Sequence, residues 1–333
     1  MVHPVLLAAG AGALIGSAIV KVFDVRRRRL AVQRAFLAFN ERIKHEQFEE
    51  RELLRERREL LTHRLMLALP PEPKARLFTQ GSYAMQTGVK PLDDEYDIDI
   101  GLEFDCDERR FASPIEAKGL VYDSLRRGKR RVEMRRSCVT VYYAGSAGLP
   151  AHHVDIAVYV KSDSGTLLLA KGKRHSDAEM CFWQPTNPEQ LTSLVRNKFS
   201  GAQVSQFRRC VRYLKRWKQV NFRSPAPYSI ALTMAVYHCF RPNADLWLED
   251  VDDIAALLDL VRTLLGQFQS GRLAVMLPVP PAHDLLVAMT SNQMLDFHSK
   301  LDELEKALAF ASQQDDISVA ITALAGQFGH DFK

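Results

Sequence analysis

Residues 80–104 read Gln80-Gly81-Ser82-Tyr83-Ala84-Met85-Gln86-Thr87-Gly88-Val89-Lys90-Pro91-Leu92-Asp93-Asp94-Glu95-Tyr96-Asp97-Ile98-Asp99-Ile100-Gly101-Leu102-Glu103-Phe104. The second half alternates with the period of a β-strand. Tyr96, Ile98, Ile100, Leu102 and Phe104 fall on one side, and Asp97, Asp99, Gly101 and Glu103 on the other. Asp97 and Asp99 therefore project from one face, with Cα atoms about 6–7 Å apart. Two carboxylates so placed repel unless cations sit between them. Mg²⁺ prefers oxygen ligands and commonly takes one or two carboxylates plus substrate phosphates. Ahead of the strand, Gly81 permits close backbone approach, and a helix starting at Ser82 would aim free N–H groups at phosphate oxygens.

A second stretch repeats the design. In Val154-Asp155-Ile156-Ala157-Val158-Tyr159-Val160, the residues Val154, Ile156, Val158 and Val160 make the apolar face and Asp155 points the other way. If the two strands are neighbours in one sheet, three carboxylates converge where two metals about 3.5–4 Å apart fit, the arrangement needed for in-line attack on a phosphate. Gly-Ser alone and Asp-x-Asp alone are common. Their order, with a third strand aspartate 56 residues beyond Asp99, is a far more specific signal.

The rest of the chain sets the context. It has 333 residues, 45 Lys and Arg against 40 Asp and Glu, and 47% apolar residues. That excludes wholesale disorder, a collagen-like fibre and a polytopic membrane protein. Five scattered cysteines form no C-x-x-C pair, which argues against a disulfide scaffold or zinc ribbon and for a reducing compartment. Residues 161–240 carry 13 basic against 4 acidic residues, and residues 241–333 carry 6 against 14. Two readings of this imbalance stand: a polyanion held between metal ions and cations, or an uneven solvated surface.

Residues 5–20 are uncharged and apolar, and Arg26 to Arg29 follow. The run is shorter than the roughly 20 residues of a spanning helix, so it reads either as a membrane tether or as a helix packed on the body or a partner. The arginines would hold that flank in the cytoplasm. From Leu30 to Leu67 the pattern is helical, with Phe36, Phe39 and Ile43 in one stripe, until Pro70, Pro71 and Pro73 end it. A mixed segment with several strand signatures follows to about residue 175. Beyond Pro185 helices are expected over Glu189–Phe199, Val204–Val220, Tyr228–Phe240, Asp252–Phe268, Gln293–Ala311 and Ile317–Phe328. In the second of these, Phe207, Cys210, Val211, Leu214 and Trp217 form the buried stripe, and Arg208, Arg212 and Lys215 share another face. Arg209, Arg216 and Lys218 are expected to be solvated. The basic cluster from Arg126 to Arg136 reads as a solvated helix end running into a strand, with phosphate or nucleic-acid binding as the alternative. His152 and His153 precede Asp155, but magnesium takes oxygen rather than imidazole, so a strand-entry or core role is expected for both. Tyr159, on the Asp155 face, either stacks on a base or packs in the sheet.

Gly-Ser, then Asp-x-Asp, then a distant strand aspartate resembles the signature of the DNA polymerase β-like nucleotidyltransferases. The wording Gln-Gly-Ser-Tyr-Ala-Met with Tyr-Asp-Ile-Asp-Ile-Gly, and His-His-Val-Asp-Ile-Ala-Val-Tyr later, is similar to the bacterial CD-NTases, the cyclic dinucleotide synthases of anti-phage signalling operons (CBASS). The likeness continues through Arg208 to Trp217, which resembles the family's Lys-x-Trp helix, and through Pro227-Tyr228-Ser229-Ile230-Ala231-Leu232, which resembles a segment of the oligoadenylate synthases. Residues 1–30 fall outside it.

The resemblance implies an α+β fold: a bilobed polymerase β-like nucleotidyltransferase with a mixed-sheet catalytic lobe, a C-terminal helical lobe and a long N-terminal spine helix. The expected domains are 1–29, 30–180 and 181–333. It further implies that Gln80, Gly81 and Ser82 touch a triphosphate and that Asp97, Asp99 and Asp155 hold two Mg²⁺, with Mn²⁺ as a substitute. Lys215 would reach the triphosphate and Ser229 would face the nucleotide, held between the lobes; Arg212, on the Lys215 face, reads either as a further nucleotide contact or as a solvated cation. The expected activity is synthesis of a cyclic di- or trinucleotide from ATP with GTP or a pyrimidine NTP. No nucleic-acid template is expected, and an operon-encoded effector would respond to the product. The expected location is the cytoplasm, with inner-membrane contact through residues 5–29 where those residues tether. Two rivals remain: an RNA-tailing or linear oligoadenylate polymerase, and a membrane-associated scaffold.

Overall fold

The computed structural model describes residues 27–44, 48–92, 96–126, 131–145, 151–223, 227–245 and 250–333. They form two compact units. One comprises residues 27–43 with Ser200–Ala274 and Leu286–Lys333, and the other Lys44–Phe199 with Val275–Leu285. The apolar stretch 5–20 lies outside the described residues. Among those residues no helix is long and apolar enough to cross a membrane.

The Lys44–Phe199 unit is built on a mixed sheet. Strands β1 (Ala75–Thr79), β2 (Tyr96–Phe104), β3 (Arg131–Met134), β4 (Val139–Tyr143) and β5 (His152–Lys161) lie in the order β1-β2-β5-β4-β3. β6 (Leu167–Ala170) also pairs with β5, and β7 (Trp183–Thr186) with β6. Among the described residues of this sheet, only β2 and β5 run parallel; the other pairs are antiparallel. The alternation read from sequence is obeyed. Ile98, Ile100, Leu102, Val154, Ile156 and Val158 are buried in one cluster with Leu61 and Leu65 of helix α2 (Phe48–Ala68) and Ala117, Val121 and Leu125 of α4 (Pro114–Arg126). Burying one face fixes the register, because a slip of one residue would turn every apolar side chain to solvent.

The other unit is helical. α1 (residues 27–43) joins α6 (Gly201–Asn221), α7 (Ser229–Cys239), α8 (Asp253–Gly266), α9 (Ser291–Gln313) and α10 (Ile317–Phe328). Phe36 and Phe39 are fully buried among Tyr213, Phe328 and Phe332, with ring centroids 4.9–6.1 Å apart. Arg42 fastens the chain end by donating to the Asp331 and Lys333 carbonyls at 2.6 and 2.8 Å.

Two expectations are revised. The single spine helix is two helices, α1 and α2, in different units. Ile43 ends the apolar stripe of α1, and Lys44 forms a β-bridge with Val89. The boundary expected after residue 180 falls between Phe199 and Ser200. Helix α5 (Pro188–Arg196) stays with the sheet because Arg76 of β1 donates to Glu189 at 2.6 Å and also pairs with the buried Glu103 of β2.

Candidate active site

The parallel pairing of β2 with β5 sets Asp97 beside His153 and Asp99 beside Asp155. Antiparallel β4 adds Thr140 beside Asp155 and Tyr142 beside His153. Partners in adjacent strands share a face, so these six side chains all stand on the side away from the apolar core. The three strand carboxylates expected from the alternation therefore stand on neighbouring strands.

Their contacts give the face its chemistry. Thr140 Oγ1 donates to Asp155 Oδ1 at 2.5 Å, which fixes one carboxylate oxygen. His153 Nε2 lies 3.2 Å from Asp97 Oδ1. One donor atom from each of Asp97, His153 and Asp155 lies within 4.8 Å of the other two. Asp97 is exposed, whereas Asp155 and His153 are half-buried. The Asp97 hydrogen bond raises the His153 pKa; burial opposes it, and the charges of Asp97 and Asp155 add to the rise. Asp99 lies outside that trio. Its carboxylate packs on Gly81, where an added Cβ would meet Asp99 Oδ2 at 2.0 Å.

Two carboxylates and an imidazole at this spacing fit a divalent cation. The role expected for the two histidines thus divides. His152 is buried and stacks on Tyr143 at 4.5 Å, the core role anticipated. His153 stands with the carboxylates instead. Parity held the signal: residue 153 is two before Asp155 and must share its face.

Gln80, Gly81 and Ser82 lie at the start of the short helix α3 (Gly81–Ala84). Gln80 is held from the sheet, since the buried Tyr159 hydroxyl donates to its Oε1 at 2.7 Å. Burial pushes the Tyr159 phenol well up, so it remains a donor. Tyr159 is a packed sheet residue, 5.5 Å from the Phe78 ring, which decides between its two readings. Cys138 sits 3.6 Å from Thr140 Oγ1. Burial, with Asp155 adding to it, pushes that thiol up to about 12, so it is no nucleophile at neutral pH.

The β3–β4 hairpin borders the face. Tyr142 OH accepts from Arg135 at 2.7 Å and donates to Glu133 at 2.8 Å. Arg135 is held above its ordinary value: burial opposes its charge, but the Tyr142 hydroxyl and the Asp155 carboxylate outweigh that. Arg126 ends α4 and Arg131 opens β3, the helix-end-into-strand reading of this cluster.

The remaining candidates belong to the helical unit. Lys215 is buried in α6. Ser229 is the first residue of α7, and its Oγ accepts from Lys218 Nζ at 3.3 Å. Arg212 is buried and donates to Asn40 Oδ1 at 2.8 Å, an engagement within the unit that the sequence did not suggest. Arg209 and Arg216, expected in solvent, are buried. Arg209 Nε and Nη2 donate to Asp253 at 2.6 and 2.8 Å, and Arg216 pairs with Asp331 at 3.4 Å.

Residues 75–159 match the family model described as "Cyclic GMP-AMP synthase DncV-like, nucleotidyltransferase domain". A cyclic GMP-AMP synthase of Escherichia albertii is 25% identical over 256 residues, which is 73% of this chain and 52% of that protein. The chain thus spans about half the length of that relative. The CD-NTase CdnG of Bradyrhizobium diazoefficiens, solved with GTP, superposes with a TM-score of 0.67 at 18% identity, covering 89% of this chain and 94% of that one. E. coli MS115-1 CdnC, solved with ATP, gives 0.66 at 17%, with coverages of 90% and 98%. DncV of Vibrio cholerae, a cyclic AMP-GMP synthase, gives 0.58 at 17%, with coverages of 96% and 90%. At these identities the structural likeness is one of fold.

Proposed function

We propose that this chain is a CD-NTase nucleotidyltransferase that joins ribonucleoside triphosphates into a cyclic di- or trinucleotide, a reading supported by the family model over residues 75–159 and by the shared fold. The observation that carries the reading is the parallel β2–β5 pairing, which sets the Asp-x-Asp carboxylates beside Asp155 on a face free of the core. Asp97, Asp99 and Asp155 would hold the divalent cations. Those ions, when bound, supply positive charge against the oxygens of the reacting phosphates.

The chain's own groups do the rest. Gln80, Gly81 and Ser82 bind the triphosphate, with Gln80 kept in place by Tyr159. Asp155 accepts the proton of a ribose hydroxyl while that oxygen bonds to the α-phosphorus of a second nucleotide and the bond to pyrophosphate breaks. Thr140 occupies one Asp155 oxygen and leaves the other for the reaction. A second such attack closes the ring. From the helical unit we propose Lys215 and Ser229 as nucleotide contacts. The product would serve as a second messenger in anti-phage defence, read by an effector encoded nearby, and no template is needed.

The test is incubation with all four NTPs and Mg²⁺ or Mn²⁺, followed by mass analysis before and after phosphatase. A phosphatase-resistant small product is expected. A ladder on added RNA would instead identify a tailing enzyme. The Asp97→Asn/Asp99→Asn double variant should keep its circular dichroism and lose product by at least about 100-fold. Undiminished synthesis by that variant overturns the assignment.

A further inference from the structure

We infer that His153 is itself a metal ligand, so that Asp97, His153 and Asp155 form a mixed nitrogen–oxygen centre that prefers Mn²⁺ to Mg²⁺. This rests on the nucleotidyltransferase reading of the same face and adds to it a donor outside the Asp-x-Asp and distant-Asp pattern.

Three observations carry it. First, one donor atom from each of the three residues lies within 4.8 Å of the other two. An ion with ligands at about 2.1–2.3 Å spans donor separations up to about 4.6 Å, so side-chain shifts of a few tenths of an ångström bring all three onto one cation. Second, the backbone imposes the grouping. Asp97 and His153 are partners in the parallel β2–β5 ladder, and His153 and Asp155 share a face by parity, so the imidazole does not reach the carboxylates through a flexible loop. The Tyr142 ring, 5.9 Å from that of His153, flanks the imidazole from β4. Third, Asp99 is not in the trio, because its carboxylate packs on Gly81. Within this trio the third donor is thus a nitrogen, and the Asp99 carboxylate proposed above for the cations stands beside Asp155 in the ladder.

Donor chemistry then sets the preference. Mg²⁺ is a hard ion that keeps oxygen and water ligands, whereas imidazole suits first-row transition ions, and Mn²⁺ accepts carboxylate oxygen as well. The competing role for His153 is an orienting hydrogen bond from Nε2–H to Asp97, which would leave an all-oxygen site without that preference.

The full-length chain is titrated with Mn²⁺ alone, followed by loss of the free-ion electron paramagnetic resonance signal, and then with Mg²⁺ as competitor. Pulsed spectra of the bound Mn²⁺ should show coupling to a ¹⁴N nucleus. In His153→Ala and His153→Gln the coupling should vanish, and the ratio of Mn²⁺ to Mg²⁺ affinity should fall at least about tenfold. Asp97→Asn/Asp155→Asn should lose both ions. Bound Mn²⁺ without nitrogen coupling, or an unchanged ratio in the His153 variants, overturns this inference and leaves the carboxylate site standing. Failure of the unaltered chain to bind Mn²⁺ overturns the carboxylate site itself and the proposed function with it. The nitrogen coupling is read on the unaltered chain, so a His153 variant that fails to fold does not shelter the inference.

Discussion

Gly81 has φ +69°, and a Cβ on it would lie 2.0 Å from Asp99 Oδ2, so backbone conformation and side-chain space separately require glycine there. Gly81→Ala should cost about 1–2 kcal/mol from the left-handed backbone alone, and more through the displaced carboxylate. We expect lower stability in urea titration and a fall in product formation larger than the stability loss accounts for. Lys118 is the second residue whose role is local and strict. It is fully buried, and its Nζ donates to the carbonyls of Arg135, Arg136 and Gly172, which ties helix α4 to the segment leading into β4. Lys118→Met leaves those carbonyls without their donor and should cost about 2 kcal/mol, read from the denaturation midpoint. Burial lowers the Lys118 pKa from an ordinary 10.5 to about 8. Between those values the unfolded chain keeps a proton that the folded chain has released, so Lys118 adds stability as pH rises from about 8 to about 10.5. The stability difference between Lys118→Met and the unaltered chain should widen over that window, and a flat difference would refute the shift.

Among the elements, β2 and α6 show how far periodicity reaches. Strand β2 behaves as its alternation says, because a strand with one buried face needs only a period of two to declare which side is which. Helix α6 is the opposite case. Its apolar stripe was legible, and Phe207, Cys210, Val211, Leu214 and Trp217 are all buried. Its cations were not, since a charged residue on a helix wheel looks solvated whether or not an acid waits opposite it. Asp253, from 44 residues further along, takes two bonds from Arg209 and one from Tyr213, and its own backbone N–H donates to Gln33 in α1. Removing one partner of a buried pair strands the other's charge. Asp253→Ala should therefore destabilise the chain by about 3–5 kcal/mol, whereas Arg262→Ala, whose Glu305 partner pairs at the surface, should cost under about 1 kcal/mol. Equal shifts in the two melting temperatures would contradict this.

At the scale of the whole molecule the charge imbalance takes on another meaning. Part of the basic charge of residues 161–240 answers the acidic charge of residues 241–333 inside one unit, as Arg209 with Asp253 and Arg216 with Asp331 show. The chain's beginning joins the same scheme: Arg28 pairs with Asp315, and Arg29 donates to the buried Asp252 at 2.7 Å. A chain started at residue 27 should therefore be more stable than one started at residue 30 by about 2 kcal/mol, measured by urea titration. Equal midpoints would show that these arginines contribute nothing.

Which faces of β2 and β5 carry acid, where the helices beyond Pro185 run, and that Gly81 stands ahead of the Asp-x-Asp strand were all determined by the sequence itself. Each is a property of residues close together in the chain, governed by periods of 2 and 3.6. Only the tertiary structure decided that His153 stands with Asp97, that Asp99 turns to Gly81, that one expected spine helix is two, and that Arg209 and Arg216 face inward. Those outcomes depend on which segments, tens to hundreds of residues apart, come to lie side by side. That choice is made by burial of the common core and by pairing of buried charge, and neither is written in any local stretch of the chain.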